Sequence, residues 1–320
     1  MVRFLVRRIF QAAIVMVLVT ISVFYLFFHG SPQAVARRLA GRQATQETVD
    51  RIYHNLGLDQ PFWVQYWHFL VRLLHGDLGH DYYNGVPVTT VLKQAVPVTA
   101  SLAIGAAIIW LIIGVGTGVY SSVRARSVMD RTLTGLALFF YSIPVFVLGL
   151  ALIYFFFYVL TTHGVAWFPA TGYVGITSDP YQWFRHLVLP WLSLALISAA
   201  VYTRLSRTSM LEVLGEDYVR TARAKGLSER RVVLRHGLRS ALTPIVTQFG
   251  IDVAVALGGA ILTENIFGLP GLGWESLHAI NNQDLPLIVG IVIVAAAAVV
   301  VANILVDMIY AVLDPRVRLH

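Results

Sequence analysis

Long apolar runs divide this chain of 320 residues, and polar loops separate them. A helix needs roughly 20 mainly apolar residues to cross a bilayer. Six runs meet that requirement, so the pattern predicts six membrane-spanning helices. They cover Ile9–Phe28, Val98–Tyr120, Leu133–Leu160, Leu187–Tyr202, Leu242–Leu262 and Leu287–Val312.

The third predicted span lies in a charge-free run from Thr132 to Ser178, which is long enough to raise the question of two spans. Glycines and a proline in its second half break helices, and a second span would place the most basic loop outside. We therefore predict one span, kinked at Pro144 because proline disrupts a helix interior. In the second predicted span, small residues should allow close helix packing; they are Gly105, Gly114, Gly116 and Gly118.

The composition supports a membrane protein. Hydrophobic residues make up 57% of the chain, charged residues only 13%, and the mean hydropathy is +0.69. Soluble domains carry about 25% charged residues, so this chain could not cover a soluble globule with polar surface. The absence of cysteine excludes disulfides, thiolate nucleophiles and Cys-ligated metal centres. The ten histidines show no metal-binding spacing, and we assign no metal site.

The charge pattern orients the chain. The net charge is +7, and 17 of the 24 Lys and Arg residues lie in the two termini and in the second and fourth loops. Because cytoplasmic loops collect basic residues, those four segments are expected to face the cytoplasm. The topology thus accounts for the basic charge, and we expect no nucleic-acid partner. The charge-free run from Ile9 to Ala36 exceeds the apolar core of a signal peptide, which indicates a retained first span.

The first loop, residues 31–96, is too long for a simple connection. Thr45 can cap a short helix that ends near Asn55 and Gly57. Pro61 can open a second helix, closed by Gly76 and rich in aromatic residues: Trp63, Tyr66, Trp67 and Phe69. Such residues favour the membrane–water boundary, so we predict a helix lying on the outer surface. A small folded cap with an aromatic core is the alternative.

The basic segment, residues 204–239, is the largest charged stretch and holds nine of the Lys and Arg residues. Asp217 can cap a short helix whose last turn contains Lys225. Gly226 takes the position where helices commonly end in a left-handed residue, and Ser228 can cap the next helix. Small residues at Ala222 and Ala224 would let a partner's groove approach. The alternative is a basic amphipathic helix resting on anionic lipid.

These residues resemble a known family. The stretch Thr221–Arg231 is similar to the cytoplasmic loop of bacterial ABC importer permeases, in the dipeptide/oligopeptide/nickel family and its DppB/OppB-like subunits. Of the family's Glu-Ala-Ala-three residues-Gly signature, the second Ala and the Gly are present as Ala222 and Gly226, whereas Arg220 and Thr221 stand where the Glu and the first Ala would be. Similar patches follow in order along nearly the whole chain: Phe4–Arg8, Leu56–Pro61, Gln65–Trp67, Gly76–Gly79, Gly258–Ala260, Pro270–Gly273, Asn303–Asp307 and Leu313–Arg316.

The resemblance implies an all-α polytopic membrane protein with the type I ABC importer permease fold, located in the bacterial inner membrane. It implies three regions: residues 1–30 with the first span, the extracytoplasmic loop 31–96, and a permease core 97–320 with five spans and a coupling loop, residues 204–241. A coupling helix between spans 4 and 5 would contact the ATPase. Its residues would be Asp217, Tyr218, Arg220, Thr221, Ala222, Arg223, Ala224, Lys225, Gly226 and Leu227.

The implied partners are a second homologous permease, two ATPase subunits or domains, an extracytoplasmic substrate-binding protein and membrane lipid. The chain itself should not hydrolyse ATP. A phosphate loop ends in Gly-Lys-Ser/Thr, and neither of the two lysines, Lys93 and Lys225, lies in that context. ATP and Mg²⁺ would therefore bind to the partner ATPase subunits, and we expect no cofactor in this chain. The glycine-rich stretch Gly268–Gly273 is expected to form a tight extracellular turn.

Two acids lie inside predicted spans, where ionisable residues are costly and often functional. We predict that Asp252 lines the translocation pathway and meets cationic groups, or else pairs with a polar group on another helix. Asp307 lies nearer the cytoplasmic end, where a contact with arginine is expected.

The resemblance favours ATP-driven import of di- or oligopeptides. Nickel chelates and haem are compatible with related permeases. An ion-coupled secondary transporter is a different class, but it usually has internal repeats and paired intramembrane charges. A membrane enzyme would need convergent catalytic groups at one depth, and the sequence shows none.

Overall fold

A computed structural model describes residues 2–26, 36–37, 45–55, 57 and 59–313. Within these residues the regular structure is helical, apart from one isolated bridge between His80 and Pro87. The helices of the first third are α1 (Val2–Phe24), α2 (Gln46–Asn55), α3 (Phe62–Leu74) and α4 (Val88–Val123). Those of the middle are α5 (Val128–Ser142), α6 (Val145–Leu152), α7 (Pro180–Leu214) and α8 (Asp217–Ala224). The remainder are α9 (Leu238–Gly259), α10 (Ile261–Phe267), α11 (Leu272–Asn282) and α12 (Leu285–Leu313).

Five stretches of the described helices are long and apolar enough to cross a membrane. They are Val6–Phe24, Val88–Val123, Val145–Thr162, Pro180–Leu214 and Leu285–Met308. The predicted fifth span, Leu242–Leu262, overlaps most of α9, which has 22 residues and ends three residues earlier, at Gly259. Several of its side chains lie outside the described residues, so the count of six spans stays a prediction.

The third predicted span differs from the structure. A kink at Pro144 was expected, but α5 ends at Ser142 and α6 begins at Val145. Ile143 is extended, with φ −89° and ψ 126°, because the residue before a proline is pushed out of the helical region. From α6 the chain continues through a π-helical stretch, Ile153–Val159, to Thr162. Within the third predicted span, only the part after the proline, Val145–Thr162, is long and apolar enough to cross a membrane.

Backbone contacts divide the chain into two units. One comprises Met1–Val96 and Glu275–Val300, and the other comprises Pro97–Trp274 and Val301–His320. In the first unit, α1 and α3 pack through Phe24, Tyr66 and Phe69. Helix α3 forms where it was predicted, after Pro61, and α2 follows Thr45 as predicted.

The aromatic residues of α3 divide between two faces. Tyr66 and Phe69 are buried, whereas Trp63 and Trp67 are exposed. The Tyr66 hydroxyl also lies 3.0 Å from the Thr20 hydroxyl of α1. The helix thus has an aromatic packing face, as in the alternative interpretation, and an exposed tryptophan face. Its depth relative to a bilayer stays a prediction.

The second unit is built on the close approach of α4 and α7. A Cβ added at Gly114 would lie 2.4 Å from Tyr202 Cβ, and one at Gly118 would lie 2.6 Å from Ser206 Cβ. At Gly105 the added atom would overlap the Trp191 ring. These three glycines therefore allow the packing that the sequence predicted. Gly116 does not take part, since a Cβ there would meet no other described part of the chain within 4 Å.

Candidate functional site

The basic segment folds as predicted into two helical pieces with a glycine between them. Helix α8 begins at Asp217, and the cap position is Glu216. The prediction of Asp217 as the cap was wrong by one residue. Its carboxylate instead points to solvent and lies 3.5 Å from Arg220 in the next turn. An acid in the first turn still suits the positive end of the helix dipole.

Helix α8 ends at Ala224, Lys225 takes the C-cap position, and Gly226 follows in the predicted left-handed conformation, with φ +76°. The Gly226 N–H donates to the Arg223 carbonyl at 2.9 Å, and the Leu227 N–H lies 3.4 Å from the Ala222 carbonyl. These bonds satisfy carbonyls that the helix end leaves unpaired. Within the described part of the chain, a Cβ at Gly226 would meet nothing within 4 Å, so the backbone conformation, not space, favours glycine here.

The second piece begins with one turn, Glu229–Arg231, and continues through a π-helical stretch, Val232–Gly237, into α9. Ser228 takes the predicted cap position, but its hydroxyl makes no cap hydrogen bond. Its backbone carbonyl accepts from the Arg231 N–H at 2.8 Å instead. We call residues 217–231 the knuckle.

Three kinds of contact hold the knuckle in one conformation. Arg223 binds Glu229 through two hydrogen bonds, Nε to Oε2 at 3.1 Å and Nη2 to Oε1 at 2.7 Å. These bonds join residues on either side of Gly226 and lower the pKa of Glu229. In addition, Val219 and Ala222 pack on Val232. At the base, the Tyr218 hydroxyl donates to the Ser240 hydroxyl at 3.0 Å (Oη to Oγ).

Most of the knuckle is exposed to solvent, and its buried residues are Val219 and Ala222. Ala222 is buried, so the expectation that it would face a partner's groove was wrong. It lies with Val219 on the apolar face of α8, which packs on Val232. Ala224 is exposed, as predicted. The exposed surface is mainly basic, with five cationic side chains against two carboxylates: Arg220, Arg223, Lys225, Arg230, Arg231, Asp217 and Glu229. Tyr218 and Thr221 are exposed as well.

The predicted acids of the apolar helices are both half-buried. Asp252 in α9 accepts a hydrogen bond from the Gln248 side-chain amide at 2.9 Å. This is a partner on its own helix, one turn away. Asp307 lies in α12. Their roles in a pathway or at the inner boundary stay predictions.

Buried Glu264 is a residue that sequence analysis did not single out. Its carboxylate accepts from the Thr99 hydroxyl at 2.6 Å and from the Trp274 N–H at 2.9 Å. A Cβ at Gly271 would lie 2.5 Å from this carboxyl group. The glycine-rich stretch thus forms a turn, as expected, with Gly268 at φ 58°. Glu264 connects this turn to α4, because its carboxylate binds both Trp274 and Thr99. The sequence feature that could have indicated this role is a single acidic residue in an apolar stretch that precedes Pro270–Gly273.

A second unpredicted feature is the acid pair Asp81 and Asp284 in the first unit, both buried. Asp284 accepts from the N–H groups of Tyr82 at 2.8 Å and Leu287 at 3.1 Å. Burial, together with hydrogen bonding to Asp81, raises the pKa of Asp284 to about 7. Burial acts in the same direction on Asp81, but hydrogen bonds from Asp284 and the following loop outweigh it and lower the pKa of Asp81. The pair holds the loop at the start of α12.

The long apolar helices joined by an exposed knuckle have the architecture of a multi-span membrane protein, and comparison with solved structures finds a similar fold. A chain of the MetNI methionine ABC transporter, in an inward-facing conformation, aligns with a TM-score of 0.54. The alignment covers 70% of this chain and 96% of that chain at 19% identity, and therefore concerns the fold alone.

Sequence comparison identifies the family. Residues 111–319 match the family "Binding-protein-dependent transport system inner membrane component", and residues 1–103 match its N-terminal companion. The "Probable peptide ABC transporter permease protein y4tP" of Sinorhizobium fredii is 39% identical over 98% of this chain and 99% of its own length. The "Dipeptide transport system permease protein DppB" of Escherichia coli K12 is 37% identical over 99% of each chain. The chain belongs to this family of inner membrane components and is a permease subunit of an ABC importer.

Proposed function

We propose that this permease imports di- or oligopeptides as one half of a pore, paired with a second homologous permease. Two ATPase subunits or domains would bind on the cytoplasmic side, and an extracytoplasmic binding protein would deliver the substrate. The full-length relatives named for peptide and dipeptide transport support this substrate class. ATP and Mg²⁺ would act on the ATPase subunits, because neither lysine of this chain lies in a phosphate loop.

The observation that carries the proposal is the braced knuckle. A flexible loop would absorb a push from a partner, whereas α8 is fixed by the Arg223–Glu229 bonds and by the packing of Val219 on Val232. The exposed, mainly basic surface of α8 is about two helical turns long, which is short enough to fit into a groove of a partner protein. ATPase closure would displace this face and open the pore outward, and ATP hydrolysis would reset it. Substrate can bias this cycle only through its different affinity for the two states.

Single-cysteine labelling tests the orientation and the contact together, because the chain contains no cysteine of its own. Ala224→Cys places a thiol on the exposed face of the knuckle, and Tyr83→Cys places one at an exposed site of the predicted outer loop. In intact cells a membrane-impermeant maleimide should label Tyr83→Cys and not Ala224→Cys. In isolated membranes a thiol-specific photocrosslinker at Ala224→Cys, but not at Tyr83→Cys, should capture an ATPase subunit. The reverse labelling pattern would overturn the orientation.

Uptake measurements test the substrate class. The tagged chain is purified from its membranes with its companions and reconstituted with them in liposomes. ATP-dependent uptake is then measured for a labelled dipeptide, a labelled pentapeptide, a nickel chelate and haem. We expect the labelled peptides to accumulate in the liposomes when ATP is present. Uptake of nickel or haem alone would assign the chain to those substrates, and accumulation without ATP would indicate an ion-coupled transporter.

A further inference from the structure

A largely buried ion pair joins α5 to α7, the helix that leads to the knuckle. Asp130, in the first turn of α5, binds Arg207 of α7 through two bonds, Arg207 Nε to Oδ1 at 2.7 Å and Nη2 to Oδ2 at 2.8 Å. The same carboxylate accepts from the Ser121 hydroxyl and from the Arg126 N–H, the latter at 2.8 Å. The Ser127 hydroxyl in turn caps α5 at the Asp130 N–H. One carboxylate therefore fastens the end of α4 and the start of α5 to α7.

The pair is more than a surface contact. The Asp130 side chain is only 5% exposed, and a two-pronged guanidinium–carboxylate bond has defined geometry as well as strength. Hydrogen bonds from Arg207 and Ser121 hold the pKa of Asp130 well below its usual range. The carboxylate therefore stays charged. A buried charge that loses its partner is strongly destabilised, so the three helix segments are constrained to move together.

The position of the pair links it to the knuckle. Arg207 lies seven residues before the end of α7 at Leu214, about 10 Å along the helix axis. The intervening turns pack on the knuckle and its continuation: Leu214 contacts the cluster of Val219 and Val232, and Met210 packs with Val233. The constrained part of α7 is thus continuous with the part that carries the knuckle.

We propose that Asp130 and Arg207 are positioning residues that transmit displacement of the knuckle to α4 and α5. This inference rests on the proposed function, because it requires an ATPase to displace the knuckle. With the pair intact, α4, α5 and the end of α7 follow the knuckle as one body. Without it, α7 can tilt alone, and ATP is hydrolysed without a matching opening of the pore.

The test compares Asp130→Asn, Arg207→Gln and the double variant with Arg204→Gln in the reconstituted transporter. Arg204 is the matched control, since it lies on the same helix three residues earlier and is exposed. For each variant the measurements are the amount of ATPase that co-purifies, the rate of ATP hydrolysis, and peptides imported per ATP. We expect Asp130→Asn to retain bound ATPase and ATP hydrolysis but to import about tenfold fewer peptides per ATP. Arg204→Gln should match the wild type.

The double variant separates charge pairing from assembly. It removes both charges together, so it should assemble better than either single variant and still import few peptides per ATP. Arg207→Lys serves where the single variants do not assemble: it keeps the charge, loses the two-pronged geometry, and should lower the ratio by less. An unchanged ratio in assembled variants would overturn the inference, as would a parallel loss of bound ATPase and uptake at a constant ratio.

The wild-type arm distinguishes the two proposals. Wild-type transporter that imports peptide with ATP, together with variants of unchanged ratio, would remove only the inference about Asp130 and Arg207. Wild-type protein that neither binds an ATPase nor imports with ATP would remove the proposed function and this inference with it.

Discussion

Two glycines of α4 that lie two residues apart should respond oppositely to the same substitution. A Cβ at Gly118 would lie 2.6 Å from both Ser206 Cβ and the Thr203 carbonyl oxygen, and 3.0 Å from the Arg207 nitrogen. Ordinary contacts between such atoms are about 3.5–4.0 Å, so the overlap approaches 1 Å. Two of the three atoms belong to the backbone of α7 and cannot rotate away. At Gly116 the same atom would meet nothing within 4 Å among the residues that the structure describes.

The magnitude follows from two opposing terms. Overpacking of a well-packed interior costs about 1–3 kcal/mol, and replacing glycine by alanine in a helix interior returns up to about 1 kcal/mol. Because the overlap at Gly118 is mainly with backbone atoms, the upper half of the overpacking range applies, about 2–3 kcal/mol. Less a return of about 1 kcal/mol, Gly118→Ala should lower the free energy of unfolding by about 1–2 kcal/mol. Gly116→Ala should leave it unchanged or raise it by up to about 1 kcal/mol.

The assay is unfolding of the purified chain in detergent, followed by tryptophan fluorescence at increasing denaturant. The Gly118→Ala midpoint should fall and the Gly116→Ala midpoint should not. Measuring the isolated chain excludes any partner that covers Gly116 in an assembled transporter. Equal shifts for both variants would refute the argument that contact with α7, rather than helix propensity, decides the outcome.

Three further predictions concern the buried acids and the brace of the knuckle. The folded protein binds the Asp284 proton more tightly than the unfolded chain does, so its stability should fall as the pH rises through about 7. Asp284→Asn cannot ionise beside Asp81 and should remove that dependence. Melting curves at pH 5 and pH 8 test this. Thr99→Val should cost about 1–3 kcal/mol in denaturant titrations, since it deprives the buried Glu264 carboxylate of a donor; equal midpoints for wild type and variant would contradict this. Arg223→Gln should change global stability by less than about 1 kcal/mol, because the Arg223–Glu229 pair is partly exposed. It should nevertheless lower the number of peptides imported per ATP. An undiminished ratio would show that this pair is dispensable for coupling.

Features governed by neighbouring residues were accessible from the sequence. Gly226 could be assigned a left-handed conformation because the end of a short helix favours one there, and the structure has it. Thr45 and Pro61 correctly marked the starts of two helices. The family could be identified because several motifs occur in order along the chain, and the comparisons confirm it.

Local rules also had limits. They placed the start of α8 one residue late, because Glu216 and Asp217 are both acidic and the choice depends on backbone geometry. They indicated a kink at Pro144 where the helix ends. They also treated Gly116 like Gly118, since the direction that each residue faces depends on how α4 is rotated against α7.

The sequence alone determined which stretches are apolar, which residues end helices and which family the chain joins. Hydropathy, backbone preference and motif order are properties of nearby residues, and they hold before the chain folds. Only the tertiary structure decided which polar groups meet: Asp130 and Arg207 are 77 residues apart, and Thr99 and Glu264 are 165 apart. Such pairs form because a charge removed from water must find a partner, and packing of the helices selects which partner is within reach.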